Sequence, residues 1–399
     1  MKKYLYFCGV FFIMIMVVPA AFSFIPILYA YSTGEYLSVK DVANKQLSSR
    51  KKIIYGQALL ESTRNYKLHM LKKTNPKIIV FGDSRVMQFK NYMFTKKFYN
   101  MGGVMQQIDE GLAIAPKIIE EKPDLVIIGA NIRWFNRHPD EKSIFIHDER
   151  LPGFHSKDIV KIFTWVINGD LSFKEMYHQI VHEDDHIGIR GIKGDGFAPD
   201  GSYYYTRIIT GEKPPNKPLE RVVIHGNGRF NMPSGYTSYV ALTKIQLSPK
   251  DQQINKFIKL IEIFKSNNIK VIVFFPPFSP YVSTSMTELK DKYSWVEKLM
   301  EKLQTKKVDF INLNNASSIN SNSCEFVDGG HGGEITYMRI LIKFLEHYSY
   351  LHNFIDKGKL KKLIDKNSGL VQIFDSDITS KPEIDFLGIG CIKHTSALL

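Results

Sequence analysis

The sequence predicts an α/β protein built on a doubly wound parallel sheet. Five short runs carry that expectation: Lys77 to Phe81, Phe98 to Met101, Asp124 to Gly129, Lys270 to Phe275 and Val308 to Leu313. Each is β-branched or aromatic and almost continuously apolar, the pattern of strands covered on both faces. Between and after them, Gln106 to Glu121, Pro249 to Asn268, Thr287 to Thr305 and Gly333 to Tyr350 carry helical periodicity. That alternation wraps helices around parallel strands. In such sheets ligands sit at the carboxyl ends of the strands, so the residues after each strand are where chemistry is expected.

The chain has 399 residues, with 53 Lys and Arg against 40 Asp and Glu, and three cysteines. Length and cysteine count exclude a disulfide-stapled miniprotein, and the Gly and Pro counts are too low for a collagen-like or low-complexity chain. The net charge of +13 suits an anionic neighbour: nucleic acid, a lipid surface or an acidic glycan.

Lys2 and Lys3 precede a stretch without a charged side chain from Tyr4 to Gly34. It exceeds the roughly 20 residues needed to cross a hydrocarbon core. Pro19 to Ser23 makes a poor cleavage site and more apolar sequence follows, so an uncleaved anchor in the lipid bilayer through residues 4–31 is expected. The cationic N-terminus points to the cytoplasm, although Arg50-Lys51-Lys52 lies near the far end, and the bulk of the chain is expected in the periplasm or outside the cell. Nucleic acid is then not an expected partner. Scattered basic residues such as Lys256, Lys259 and Lys265 read as solvated helix faces.

After this anchor (1–34), residues 35–75 read as a helical connector and 76–134 as the first part of the sheet domain. The alternation stops over 135–248, too long for a loop, and an inserted subdomain or lid is expected there. Its Tyr203-Tyr204-Tyr205 follows a turn and reads as an aromatic strand, whose rings can alternatively stack on a sugar. The sheet domain resumes over 249–352. Residues 353–399 form a polar, Lys-rich C-terminal extension.

The first strand ends in Gly82-Asp83-Ser84-Arg85, which puts the Ser84 hydroxyl at a strand-to-helix turn; the bland reading is a helix N-cap. The second ends in Gly102-Gly103, where the backbone can approach a ligand, and the third in Gly129-Ala130-Asn131, where a carboxamide stands at the same edge. Backbone N–H groups of Ser84 and a glycine, with the Asn131 amide, would surround a developing oxyanion. After the fifth strand, Asp328-Gly329-Gly330-His331 lets a carboxylate fold back on an imidazole, which can then take a proton from Ser84. A flexible solvent loop is the alternative there.

Together these residues resemble the SGNH, or GDSL-like, hydrolases, whose fold is a doubly wound sheet of flavodoxin-like strand order. The resemblance covers roughly 76–134 and 249–350. It implies Ser84 as nucleophile, His331 as base, Asp328 as its orienter, and Ser84, Gly102 or Gly103 and Asn131 as oxyanion donors, with no cofactor. Arg85 stands where the family usually has an apolar residue, and Ile132 where an Asp often follows the Asn. With an anchor and an insertion, the chain looks like the members that esterify or de-esterify cell-envelope glycans. That likeness implies an acylated glycan or acyl donor as substrate and an integral membrane acyltransferase as partner. A non-catalytic polysaccharide-binding module of the same fold is the alternative.

Two further features compete. His182-Glu183-Asp184-Asp185-His186 matches a zinc-peptidase pattern of two histidines one helical turn apart, with His178 extending the row, but Asp184-Asp185 argues for a solvated face. Cys324 and Cys391 can staple the tail to the Asp328 loop in an oxidising compartment, although two free thiols are the favoured expectation; Cys8 lies in the anchor.

Overall fold

The computed structural model describes residues 2–59, 63–136, 153–182, 184–212, 248–288 and 290–394. Its helices are α1 (Lys2–Ser32), α2 (Val39–Ser48), α3 (Thr63–Thr74), α4 (Ile108–Glu120), α5 (Ser156–Ile167), α6 (Phe173–Val181), α7 (Thr206–Ile209), α8 (Asp251–Lys265), α9 (Pro280–Glu288), α10 (Lys290–Thr305), α11 (Glu334–His347) and α12 (Lys357–Asn367). Its strands are β1 (Ile78–Gly82), β2 (Phe98–Gly102), β3 (Leu125–Gly129), β4 (Asp195–Phe197), β5 (Tyr203–Tyr205), β6 (Lys270–Phe275) and β7 (Ile311–Asn312).

Five strands pair in parallel in the order β2-β1-β3-β6-β7, the doubly wound arrangement whose order reverses beside β1. Alternate residues of each strand serve opposite faces. Ile79, Phe81, Tyr99, Met101, Val126, Ile128, Val273 and Phe275 meet the apolar stripes of α3, α4, α8 and α10. Ile78, Val80, Phe98, Leu125, Ile127, Ile272 and Phe274 meet α11 and α12. Covering both faces is why the strands read as unbroken apolar runs rather than alternating ones.

β1, β2 and β3 end in register on glycine: Gly82 pairs with Gly102 on one side and Gly129 on the other. A Cβ on Gly129 would stand 2.1 Å from Val86 Cγ1, so the bare strand end lets the turn after Ser84 settle on the sheet edge.

Several expected elements differ. The fifth strand shortens to Ile311–Asn312, while Val308 and Phe310 before it pack against the first core layer. The helix expected over Thr287 to Thr305 is preceded by a separate one, α9. The connector is an integral wall: Val42, Ala43, Tyr66 and Met70 are core residues, and Tyr55 bridges to Ile187 and Phe197. Within the insertion, α5, α6, α7 and the antiparallel β4–β5 pair are described, while 137–152 and 213–247 lie outside the described residues.

Over its described residues, 353–394, the C-terminal extension packs against the sheet domain. Leu360, Leu363 and Ile364 of α12 join the second core layer. Cys324 and Cys391 form a disulfide with Cα atoms 5.6 Å apart, which corrects the preference for two free thiols. The expected anchor is the 31-residue α1, yet among the described residues no helix is long and apolar enough to cross a membrane. The side chains of 15–23, in the middle of α1, lie outside that description.

Candidate active site

The residues that follow β1 and β3 meet at the reversal of strand order. Asp83 caps a short 3-10 turn over Ser84–Val86 by accepting the Arg85 N–H at 2.9 Å, so the capping role falls to Asp83 and not to Ser84. The Ser84 hydroxyl is left to face outward. It lies 2.9 Å from His331 Nε2. On the other side of the ring, Nδ1 stands 2.9 Å from both carboxylate oxygens of Asp328. With the Nδ1 proton given to the carboxylate, Nε2 presents its lone pair to the hydroxyl.

The loop that carries Asp328 and His331 is short and closed on itself. Val327 N–H donates to the His331 carbonyl, and Asp328 Oδ1 accepts from the N–H groups of Gly330 and His331 at 3.1 and 2.9 Å. Carboxylates favour such turns because they satisfy backbone donors two and three residues ahead. Burial pushes the Asp328 carboxyl up, but the His331 charge and hydrogen bond and the two backbone donors outweigh it and hold the group below its ordinary range. His331 and Asp328 keep 13% and 30% of their side-chain surface exposed, so the site is open enough to receive a substrate.

Arg85 ties the two halves of the site together. Its Nε donates to Gly330 O at 3.2 Å and its Nη2 to Pro276 O at 2.6 Å, while the guanidinium lies 4.0 Å from the centre of the Phe278 ring. Tyr337 Oη donates to the Arg85 carbonyl from α11. The residue after the hydroxyl thus grips the loop that holds the imidazole. Sequence reasoning registered Arg85 as an oddity and missed this role, because its partners are backbone carbonyls with no sequence signature. A charged side chain directly after Ser84, three residues beyond an apolar strand, was the available signal.

The expected oxyanion donors divide. Gly102 N–H donates to Asn100 Oδ1 at 2.7 Å, and Gly103 N–H donates to Gly82 O at 3.1 Å. Both glycine donors are therefore engaged, which corrects the expectation that either is directed at a substrate. Asn100 is fully buried and also donates to the carbonyls of Val86 and Phe89, so its carboxamide fixes the turn around the hydroxyl. Asn131 is buried at the site edge, donates through Nδ2 to Asp83 and accepts the Arg133 N–H through Oδ1. The Ser84 N–H meets no acceptor among the described residues.

The insertion reaches the site through β5. Tyr205 stands with its ring centre 6.3 Å from that of His331, and Tyr203 lies 4.7 Å behind it. The carbonyl of Tyr203 accepts from Gln88 and Lys90, and its N–H donates to Met87 O, so β5 is stitched to the segment after Ser84. Tyr205 and Tyr281 border an apolar cluster of Ile209, Val327, Val371, Phe386 and Leu387 contributed by the insertion, the Asp328 loop and the tail.

The competing histidine row lacks its helical premise. α6 stops at Val181, with His182 as its C-cap, so His182 and His186 are not one helical turn apart. His186 Nδ1 accepts the Ile54 N–H at 3.1 Å, and Glu183 lies outside the described residues. Among the described residues there is no group of three or more His, Cys, Asp or Glu able to hold a metal ion.

Over residues 226–348 the chain is similar to a family described as "Protein of unknown function (DUF1574)". That stretch contains Asp328 and His331 but not Ser84, and it is less than half of the chain. No curated protein and no solved structure matches the chain.

Proposed function

We propose that the chain catalyses serine-dependent acyl transfer on a cell-envelope glycan, as an O-acyltransferase or esterase of the SGNH type. One observation carries the reading: the unbroken series of Ser84 hydroxyl, His331 imidazole and Asp328 carboxylate at successive separations of 2.9 Å. Its position beside the reversal of strand order, where doubly wound sheets bind ligands, adds support.

In this mechanism His331 Nε2 takes the Ser84 proton as the hydroxyl oxygen attacks an ester carbonyl. Asp328 keeps the imidazole in the correct tautomer and balances the imidazolium. The tetrahedral oxyanion is held by the Ser84 N–H and by the Asn131 amide hydrogen not given to Asp83. Donors of this kind are worth about 3–4 kcal/mol each elsewhere. Collapse expels the alcohol, which takes its proton from His331, and leaves an acyl-serine. A sugar hydroxyl as second nucleophile, deprotonated by the same imidazole, completes a transfer; water would complete a hydrolysis. The Tyr205 ring beside His331 offers an apolar face of the sort a sugar ring packs on.

The uncharged run from Tyr4 to Gly34 supports a membrane anchor with the catalytic domain outside the cytoplasm, where envelope glycans and an acyl-exporting membrane partner would be met. A fluorophosphonate probe tests the catalytic reading. Labelling of the wild type and not of Ser84→Ala supports it, whereas silence in both proteins favours a non-catalytic glycan-binding module.

A further inference from the structure

The five parallel strands all enter the sheet at its amino edge, the end opposite the turn that carries Ser84, and lysine leads in each of them. The entering segments are 75–77, 95–97, 122–124, 268–270 and 306–310, which together hold seven lysines and two aspartates. The ladder sets four of these segments side by side. Lys77 N–H donates to the Lys97 carbonyl at 2.8 Å, Asp124 N–H to the Lys77 carbonyl at 2.9 Å, and Lys270 N–H to the Asp124 carbonyl at 3.2 Å. Neighbouring strands lie about 4.8 Å apart, so this row runs for about 14 Å across the sheet. Lys77 Nζ also donates to the Lys122 carbonyl at 3.4 Å, which brings Lys122 beside the row. Lys97, Lys122 and Lys270 are exposed.

Two features separate this edge from scattered surface charge. Part of the row is held in place by aromatic rings: Lys270 Nζ lies 4.6 Å from the centre of the Tyr350 ring, and Lys96 Nζ 4.5 Å from that of Phe354. The segment that bears both rings is fastened to the entry of β2, where Thr95 N–H donates to the Phe354 carbonyl at 2.9 Å and Thr95 Oγ1 to the Asn353 carbonyl at 3.2 Å. Side chains fixed in this way have less freedom to lose on binding. The two aspartates do not neutralise the row either. Asp124 pairs with Lys96 at 2.9 Å, and the Tyr348 hydroxyl engages Asp309. Among the described residues, Lys97, Lys122 and Lys270 form no ion pair.

The entering segments contain no arginine, so the edge offers compact point charges and not the flat fork that fits a single carboxylate. Point charges repeated at strand spacing fit an anion that is itself repeated along a line. We infer that the amino edge of the sheet binds a linear polymer carrying phosphate groups along its backbone. The inference goes beyond the acyl-transfer reading and does not depend on it. A polymer held here lies at the far ends of the strands from Ser84, outside the candidate active site.

The full chain is kept in a neutral detergent, and binding of fluorescein-labelled long-chain polyphosphate is read by anisotropy. Lys97→Glu, Lys122→Glu and Lys270→Glu combined are expected to weaken binding about 10-fold or more and to flatten its salt dependence, because fewer counterions are released. Gln at the same three positions should give a smaller loss. A control of equal charge change, Lys174→Glu, Lys298→Glu and Lys366→Glu, alters exposed residues of α6, α10 and α12 and should leave affinity nearly unchanged. Equal losses in the two Glu triples reduce the effect to net charge and overturn the inference, as does a wild type that does not bind. Stronger binding to phosphatidylglycerol in mixed micelles at equal phosphate concentration assigns the edge to a lipid surface and also overturns it. Fluorophosphonate labelling is expected to be the same in all of these variants, so failure here is distinct from failure of the Ser84 reading.

Discussion

Arg85 donates from its guanidinium to the carbonyl of Gly330, 245 positions further along the chain, and so ties the turn that carries Ser84 to the loop that carries His331. The same side chain reaches Pro276 at the end of β6, which places one buried cation at the junction of three segments. Arg85→Lys keeps the charge but cannot reproduce two divergent donors from a planar fork. It is expected to lower kcat by about 10- to 100-fold, as misplacement near a reacting group does, while leaving KM nearly unchanged. Steady-state kinetics on a chromogenic acetyl ester checks this, and a raised KM with kcat unchanged would point to a binding role instead.

Ser84→Ala is expected to abolish fluorophosphonate labelling and to cut esterase turnover by about 10⁴-fold or more, as loss of a triad nucleophile does elsewhere. Unaltered circular dichroism would show that the fold persists. Asp328→Asn should preserve the loop geometry yet favour the wrong imidazole tautomer, with a loss of about 10⁴-fold in kcat.

Asp328 also predicts a direction for acid stability. Its carboxyl is held below the ordinary range in the folded chain, so the folded state prefers it ionised. The stability it contributes is fully present above the unfolded value of about 4 and is lost as pH falls through the lower folded value. Wild type should therefore lose more stability than Asp328→Asn on acidification through that window. Thermal melts at a series of pH values read the difference, and parallel curves would contradict it.

Lys90 and Glu334 form a buried pair 3.4 Å apart, with Tyr92 Oη donating to the carboxylate and the Tyr204 ring packed against the ammonium. Burial pushes the Glu334 carboxyl up, and Lys90 pulls it back. Lys90→Met strands that carboxylate and is expected to cost about 3–5 kcal/mol. Urea unfolding measures the loss, and Lys90→Met combined with Glu334→Gln should restore part of it.

Cys324 sits four residues before Asp328, and its bridge to Cys391 closes a span of 67 residues. Cys391→Ser is expected to destabilise the chain by about 2–4 kcal/mol. It should also raise the protease sensitivity of the tail, where Lys393 reaches the Cys324 carbonyl and the buried Glu383. Limited proteolysis with and without dithiothreitol provides the comparison.

The sheet was legible because both of its faces are covered, which leaves runs such as Ile78–Gly82 and Leu125–Gly129 wholly apolar. Ser84, Asp328 and His331 were legible because each lies in a short motif after a strand. The glycine donors were misread because the carboxamide that occupies Gly102 comes from Asn100 on the same strand, an orientation that composition does not encode. The insertion gave no regular βα period, since its helices pack on α1 rather than on the sheet. The disulfide was not legible because a Cα separation of 5.6 Å across 67 residues is a property of the tertiary fold.

The hydroxyl and the imidazole that would activate it are contributed 247 residues apart, on either side of β3 and β6. A nascent polypeptide emerging from a ribosome or translocon carries Ser84 long before it can supply His331. Until the last helices close over the sheet, that serine is an ordinary alcohol. On the proposed reading, reactivity would thus begin only with a finished domain, and acyl groups met during synthesis would be left untouched.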